Sequence, residues 1–237
     1  MIARPCLAAC VWVFAAAVGA SAADPSLRAR LAALEPAVTR EPENLQLAAE
    51  YRQIAIAAGE FDRSIRLMER LADAKSAGPN VQISLALAYV DKVPTSGDIR
   101  RLYLARDAIG ALSRAIDRQP TVLAFYIRGV INLFFNNFIF HRIPRGIDDL
   151  RKASELVTPS TPAGLAGAVW ASLGDGYWRL GDRARARAEW RLGGEKYPGD
   201  EKLRIRLSAD DNAVDSVVFE ALYAGHRVDT SLRGALP

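Results

Sequence analysis

Trp170-Ala171-Ser172-Leu173-Gly174-Asp175-Gly176-Tyr177-Trp178-Arg179, then the turn Gly181-Asp182, then Ala186-Arg187-Ala188-Glu189-Trp190 and the closing Tyr197-Pro198, is the stretch that decides the fold. Trp170, Leu173 and Tyr177 recur at steps of three and four and so line one face of a helix. Gly174 and Ala186 are small enough to let that helix and an antiparallel neighbour approach closely. Gly181-Asp182 makes the turn between them, and Trp190 fills the groove from the second helix. Pro198 stops the second helix and sends the chain onward.

With its spacing intact, the pattern W-x2-L-G-x2-Y, A-x3-W, P resembles the tetratricopeptide repeat (TPR). The resemblance implies an all-α fold: a right-handed helical solenoid of stacked antiparallel pairs, about ten to twelve helices long. It also implies a scaffold that binds other proteins.

Counting outward at the 34-residue period recovers weaker neighbours. Leu34, Ala37 and Pro42 keep the spacing of a second helix, although Pro36 is expected to interrupt it. Ala48, Tyr51, Gly59, Phe61, Met68 and Leu71 form a fuller unit with Ser64 in the small position. Ala108, Leu112 and Ala115 repeat the second-helix spacing, as do Gly146, Leu150 and Ala153. The expected organisation is a leader over 1–22, a partial repeat over 23–43, repeats over 44–198, and capping helices with a tail over 199–237. Two insertions break the period. One, over 91–104, is read as a turn-rich loop around Val93-Pro94-Thr95-Ser96-Gly97-Asp98. The other, over 135–145, is aromatic.

Residues 1–22 read as a secretion signal: Arg4 ahead of an apolar run from Cys6 to Gly19, then Ala20-Ser21-Ala22 as a small-x-small cleavage site. The run is too short to span a bilayer comfortably, and the lipoprotein-like Leu7-Ala8-Ala9-Cys10 opens it rather than closing it. Cleavage after Ala22 removes both cysteines, Cys6 and Cys10, which excludes disulfides, thiolate metal sites and cysteine nucleophiles from the mature chain. Arginine outnumbers lysine 26 to 5, a bias of GC-rich coding that points to a Gram-negative bacterium and hence to the periplasm. The net charge of +4 is spread along the chain rather than gathered on one face, so no nucleic-acid partner is expected.

No constellation carries chemistry. His141 and His226 stand far apart, no HxxxH, HExxH or GxSxG occurs, and Asp210-Asp211 reads as a cap for the last helix. Neither an enzyme, a metal site nor a cofactor is expected. The stripe Arg183, Arg187, Arg191 reads as a solvated flank balanced by Asp182 and Glu189.

Two surfaces remain as binding candidates. In the frame of the resemblance, Gln53, Tyr126, Asp175, Trp178 and Arg179 line the concave groove. Asp175 occupies a position where clamp-type TPR domains need Asn, so their acidic-terminus ligand is not carried over. The second surface is the insertion: five of the chain's eight phenylalanines, Phe125, Phe134, Phe135, Phe138 and Phe140, are crowded there. Phe135, Phe138 and Phe140 either fold back on the stack or face a partner. The expected function is a periplasmic scaffold for a protein or peptide partner in a cell-envelope complex. The alternatives are a TPR component associated with the solute-binding protein of a tripartite transporter, with a small ligand in an apolar cleft, and a maturation helper.

Overall fold

The computed structural model describes residues 24–135, 140–222 and 230–236. The leader with Cys6 and Cys10, Phe138 of the insertion, Tyr223 and His226 lie outside the described residues. Eleven helices occur among those described: α1 (Pro25–Arg40), α2 (Leu45–Ala57), α3 (Phe61–Ala72), α4 (Pro79–Lys92), α5 (Asp98–Arg118), α6 (Val122–Phe134), α7 (Ile143–Leu156), α8 (Ala163–Arg179), α9 (Arg183–Lys196), α10 (Glu201–Ser208) and α11 (Asp211–Leu222). From α1 to α10 consecutive helices pack on one another, and α2 also touches α4, α6 touches α8, and α8 touches α10. The first helices of the pairs, α2, α4, α6, α8 and α10, all border one common space and so form one wall.

The deciding stretch folds as α8 and α9, held by two reciprocal fits. Trp190 is fully buried and lies over Gly174, where any Cβ would overlap the indole. Trp170 lies over Gly193, where a Cβ would come within 2.5 Å of the Trp170 Cβ. The Trp190 Nε1–H donates to the Ala171 carbonyl at 3.0 Å, so the indole is buried with its polar edge satisfied. The α6–α7 pair repeats the device with glycine on both sides: a Cβ on Gly129 would meet the Leu150 side chain at 2.7 Å, and one on Gly146 would meet Leu133 at 2.8 Å.

Helix starts are marked by side-chain caps. Asn44, Thr121, Asp182, Asp200 and Asp210 accept from the backbone N–H three residues on. The N-terminus of α4 is capped from a distance, since the Glu43 carboxylate accepts from the Gly78 and Asn80 N–H groups at 2.6 and 3.0 Å.

Three expectations change. Pro36 does not interrupt α1, which runs continuously to Arg40. Pro36 and Ala32, whose carbonyl loses its helical partner, are both outside the core, so water can take the place of the missing bond. The loop expected over 91–104 is mostly helix: a short 3-10 turn over Val93–Thr95 leads into α5 at Asp98. Asp98 favours that start because a carboxylate suits the positive helix N-terminus. The extra turns of α5 carry Ile99, Leu102 and Tyr103 into solvent.

The arginine stripe is not merely a solvated flank. Arg183 and Arg187 both reach Asp211 at the head of α11, at 2.9 and 2.8 Å. Arg187 also donates to the Arg206 and Ala209 carbonyls. Arg183 and Arg191 are exposed, and Arg187 is half-buried.

Candidate functional site

The first-helix wall encloses a cavity of about 800 Å³. Gln53 and Ile56 come to it from α2, Val90 and Asp91 from α4, Tyr126, Val130 and Leu133 from α6, and Ala171, Ser172 and Asp175 from α8. Lys202, Ile205 and Arg206 of α10, Glu220 of α11, and Thr230 and Ser231 also line it. Three of the expected groove residues, Gln53, Tyr126 and Asp175, are therefore brought together around one space.

Two buried ion pairs are built into this wall. Arg52 on α2 donates to Asp91 on α4 at 2.9 Å, both side chains almost wholly inaccessible. Asp175 on α8 accepts from Arg206 on α10 through two parallel bonds of 2.6 Å. Each pair joins the first helices of successive units and so ties one repeat to the next. Burial pushes the Asp91 carboxyl above the ordinary carboxylate value, against the Arg52 charge and the Thr230 hydroxyl, which hold it down. A third pair, Arg128 with Asp149, joins α6 to α7 at 2.6 Å.

Trp178 is placed otherwise than the concave frame implies. Its ring is only 6 % exposed, lies 5.5 Å from the Trp190 ring, and is roofed by the Arg183 and Arg187 guanidinium groups at 5.0 and 5.7 Å. Its Nε1–H donates to Asp215 of α11 at 2.6 Å. The reason is α11 itself, which lies across the face that an isolated repeat would leave open. In this arrangement Trp178 fastens the cap, and little of its ring is left accessible. Trp178→Phe keeps most of the packing but removes the bond to exposed Asp215, so it should cost about 1 kcal/mol. That loss should appear as faster proteolysis within α11 rather than as collapse of the stack.

Arg179 lies beside Trp178 and donates toward the Phe135 carbonyl at 3.5 Å. Within the insertion, Phe135 and Phe140 meet edge-to-face at 5.2 Å, and the Arg142 guanidinium lies 5.1 Å from the Phe135 ring. Phe135 packs partly on the core, whereas Phe140 is 40 % exposed. The insertion is pinned from below by Arg142, which donates to the Asn132 side chain at 2.9 Å.

Arg52, Asp91 and Arg206 fall outside the expected site residues. Their signal is a charged residue at an inward position of a helix: Arg52 falls between Tyr51 and Ile54, and Asp91 directly follows Val90. The other unexpected element is the segment 230–236, which packs into the same wall. Leu232 is 3 % exposed, and the Arg52 Nη2 donates to the Thr230 carbonyl at 2.5 Å.

The sequence matches no protein-family model and no curated protein. Among solved structures the chain is similar to TTC0263, a thermophilic TPR protein in Thermus thermophilus, with TM-score 0.57 at 19% identity over 79% of this chain and 90% of that one. It is also similar to MamA, with TM-score 0.49 at 19% identity over 74% of this chain and 89% of that chain. A chain of the APC/C hetero-tetramer Cut9-Hcn1 gives TM-score 0.36 at 15% identity, over 89% of this chain and 45% of that chain. The likeness to the Thermus protein bears on the fold: the chain is an all-helical, TPR-like stack of consecutive helix pairs.

Proposed function

We propose that the protein is an exported scaffold of the cell envelope, periplasmic after cleavage at Ala22, whose concave groove holds a segment of a protein partner. One observation carries this reading: the first helices of successive units contribute to a single cavity lined by both apolar and polar side chains. Ile56 and Ile205 offer contacts for apolar side chains, while Gln53, Ser172, Lys202 and Glu220 offer groups for a peptide backbone. The buried charges Asp175 and Arg206 already satisfy each other, so they shape the wall without demanding a charged ligand. The transporter alternative needs an apolar cleft. The ion pairs and Lys202 in the lining weigh against that requirement.

The test is site-specific photocrosslinking in cells. A benzophenone side chain at Ile56 or Ser172, inside the groove, should give one discrete protein adduct, and the same group at Arg191 on the exposed flank should give none. Adducts from Arg191 alone would move the binding face to the outside of the stack. Intact mass of the uncrosslinked chain recovered from the same cells should place the first residue at Ala23. A chain retaining residues 1–22 would sink the periplasmic assignment.

A further inference from the structure

We propose that residues 230–236 are a tethered occupant of the concave groove, and that the protein partner binds by displacing them. This rests on the groove reading above and identifies the ligand chemistry as a short non-helical segment that buries a leucine.

Three observations support it. First, the segment is held by the groove wall rather than by its own helix. Arg52 donates to the Thr230 carbonyl at 2.5 Å, and Gln53 reaches the Thr230 hydroxyl at 3.5 Å. These are contacts of the kind a peptide-binding wall makes: side chains to a ligand backbone, with one pocket for one apolar group. Second, Leu232 is buried although its backbone is in the left-handed region at φ 60°. A leucine adopts that conformation only where its surroundings hold it. The tight turn is closed by the Ala235 N–H donating to the Leu232 carbonyl at 3.0 Å. Third, the far end of the segment is accommodated by a missing side chain: a Cβ on Gly164, in the first turn of α8, would stand 2.7 Å from the Gly234 carbonyl oxygen. The segment therefore spans from the first unit to the fourth along one side of the groove, with Thr230 and Ser231 forming part of its lining.

Residues 223–229 join the segment to α11, and a ligand on so short a tether competes at an effective concentration on the order of millimolar. A free copy of the segment should therefore bind the wild-type chain weakly and a chain with an emptied groove well.

The probe is a fluorescein-labelled peptide of residues 229–237, Asp-Thr-Ser-Leu-Arg-Gly-Ala-Leu-Pro, blocked at both ends and read by anisotropy against the full chain. Two variants empty the groove by different routes. Leu232→Asp removes the apolar anchor. Gly164→Ala favours helix α8 while its methyl collides with the Gly234 carbonyl. Both variants should bind the peptide about 10- to 100-fold more tightly than the wild type, the factor by which the tether excludes a competitor. A peptide carrying aspartate at the Leu232 position should bind none of them. Equal affinity for all three chains, or no binding to any with helicity unchanged, would overturn the proposal. So would loss of cooperative unfolding in both variants, which would make the segment a fixed part of the core. The outcomes separate from those of the groove reading. A groove crosslink to a partner without peptide binding removes only the tethered occupant. Peptide binding without any groove crosslink removes only the partner.

Discussion

Trp190→Ala should cost about 4–5 kcal/mol, the upper part of the range for emptying a buried aromatic site. Trp190 is wholly inaccessible and stands over a glycine, so its removal leaves a void bounded on one side by bare helix backbone that cannot relax inward. The lost bond adds little, because the Ala171 carbonyl that accepts from the indole sits within α8 and keeps a helical donor. The same fit makes a sharper claim about pairs. Gly174→Leu alone should also destabilise, since the new side chain runs into the indole. In the Trp190→Ala background that leucine enters the void instead. The double variant should be more stable than the sum of the singles by at least about 2 kcal/mol, read by urea unfolding. Additivity within about 0.5 kcal/mol would mean that the two positions do not share one space.

Asp175→Ala should cost about 3–5 kcal/mol, because it strands the Arg206 guanidinium in a site that is 5 % exposed. The penalty belongs to the unpaired charge, not to the pair. Asp175→Leu combined with Arg206→Met should therefore lie close to the wild type, both groups having been replaced by apolar side chains of similar reach. Because α10 is a short helix docked on α8, the single variant should first release the α10–α11 cap. The sign of that release is early proteolysis after Pro198. A loss below about 1 kcal/mol for Asp175→Ala would show that Arg206 escapes to water at little cost.

What can be read beforehand follows from the distance over which each interaction acts. The Trp170, Gly174 and Trp190 fits lie within one helix pair, and their sizes are visible as a local pattern. The cap at Asp210 is likewise local, as its carboxylate accepts from Ala213. The wall's ion pairs join residues 39 and 31 apart, Arg52 to Asp91 and Asp175 to Arg206, and nothing in either neighbourhood names the partner. The repeat frame assigns Trp178 to the groove because it treats each pair as if its outer face were open. The helix that covers it, α11, is legible as a cap but carries no repeat landmark to fix the face it covers. The contact between Arg52 and Thr230 spans 178 positions and joins a repeat to a segment without periodicity. Only the packed chain displays it.

That last contact changes the mechanics of the molecule. An ordinary stack is one-dimensional: each unit senses only its neighbours, and unravelling starts wherever an end is loose. Here a strap runs from beyond the last helix to the second one, converting an open row into a ring closed by a few weak bonds. Local pairs can assemble early, while ring closure carries the long-loop entropy and comes last. Pulled between residues 24 and 236, the ring should give first at the Arg52–Thr230 clasp, after which the units yield one by one. A guest that takes the clasp's place would thus do more than dock. It would trade a closed, stiff ring for an extensible chain of springs.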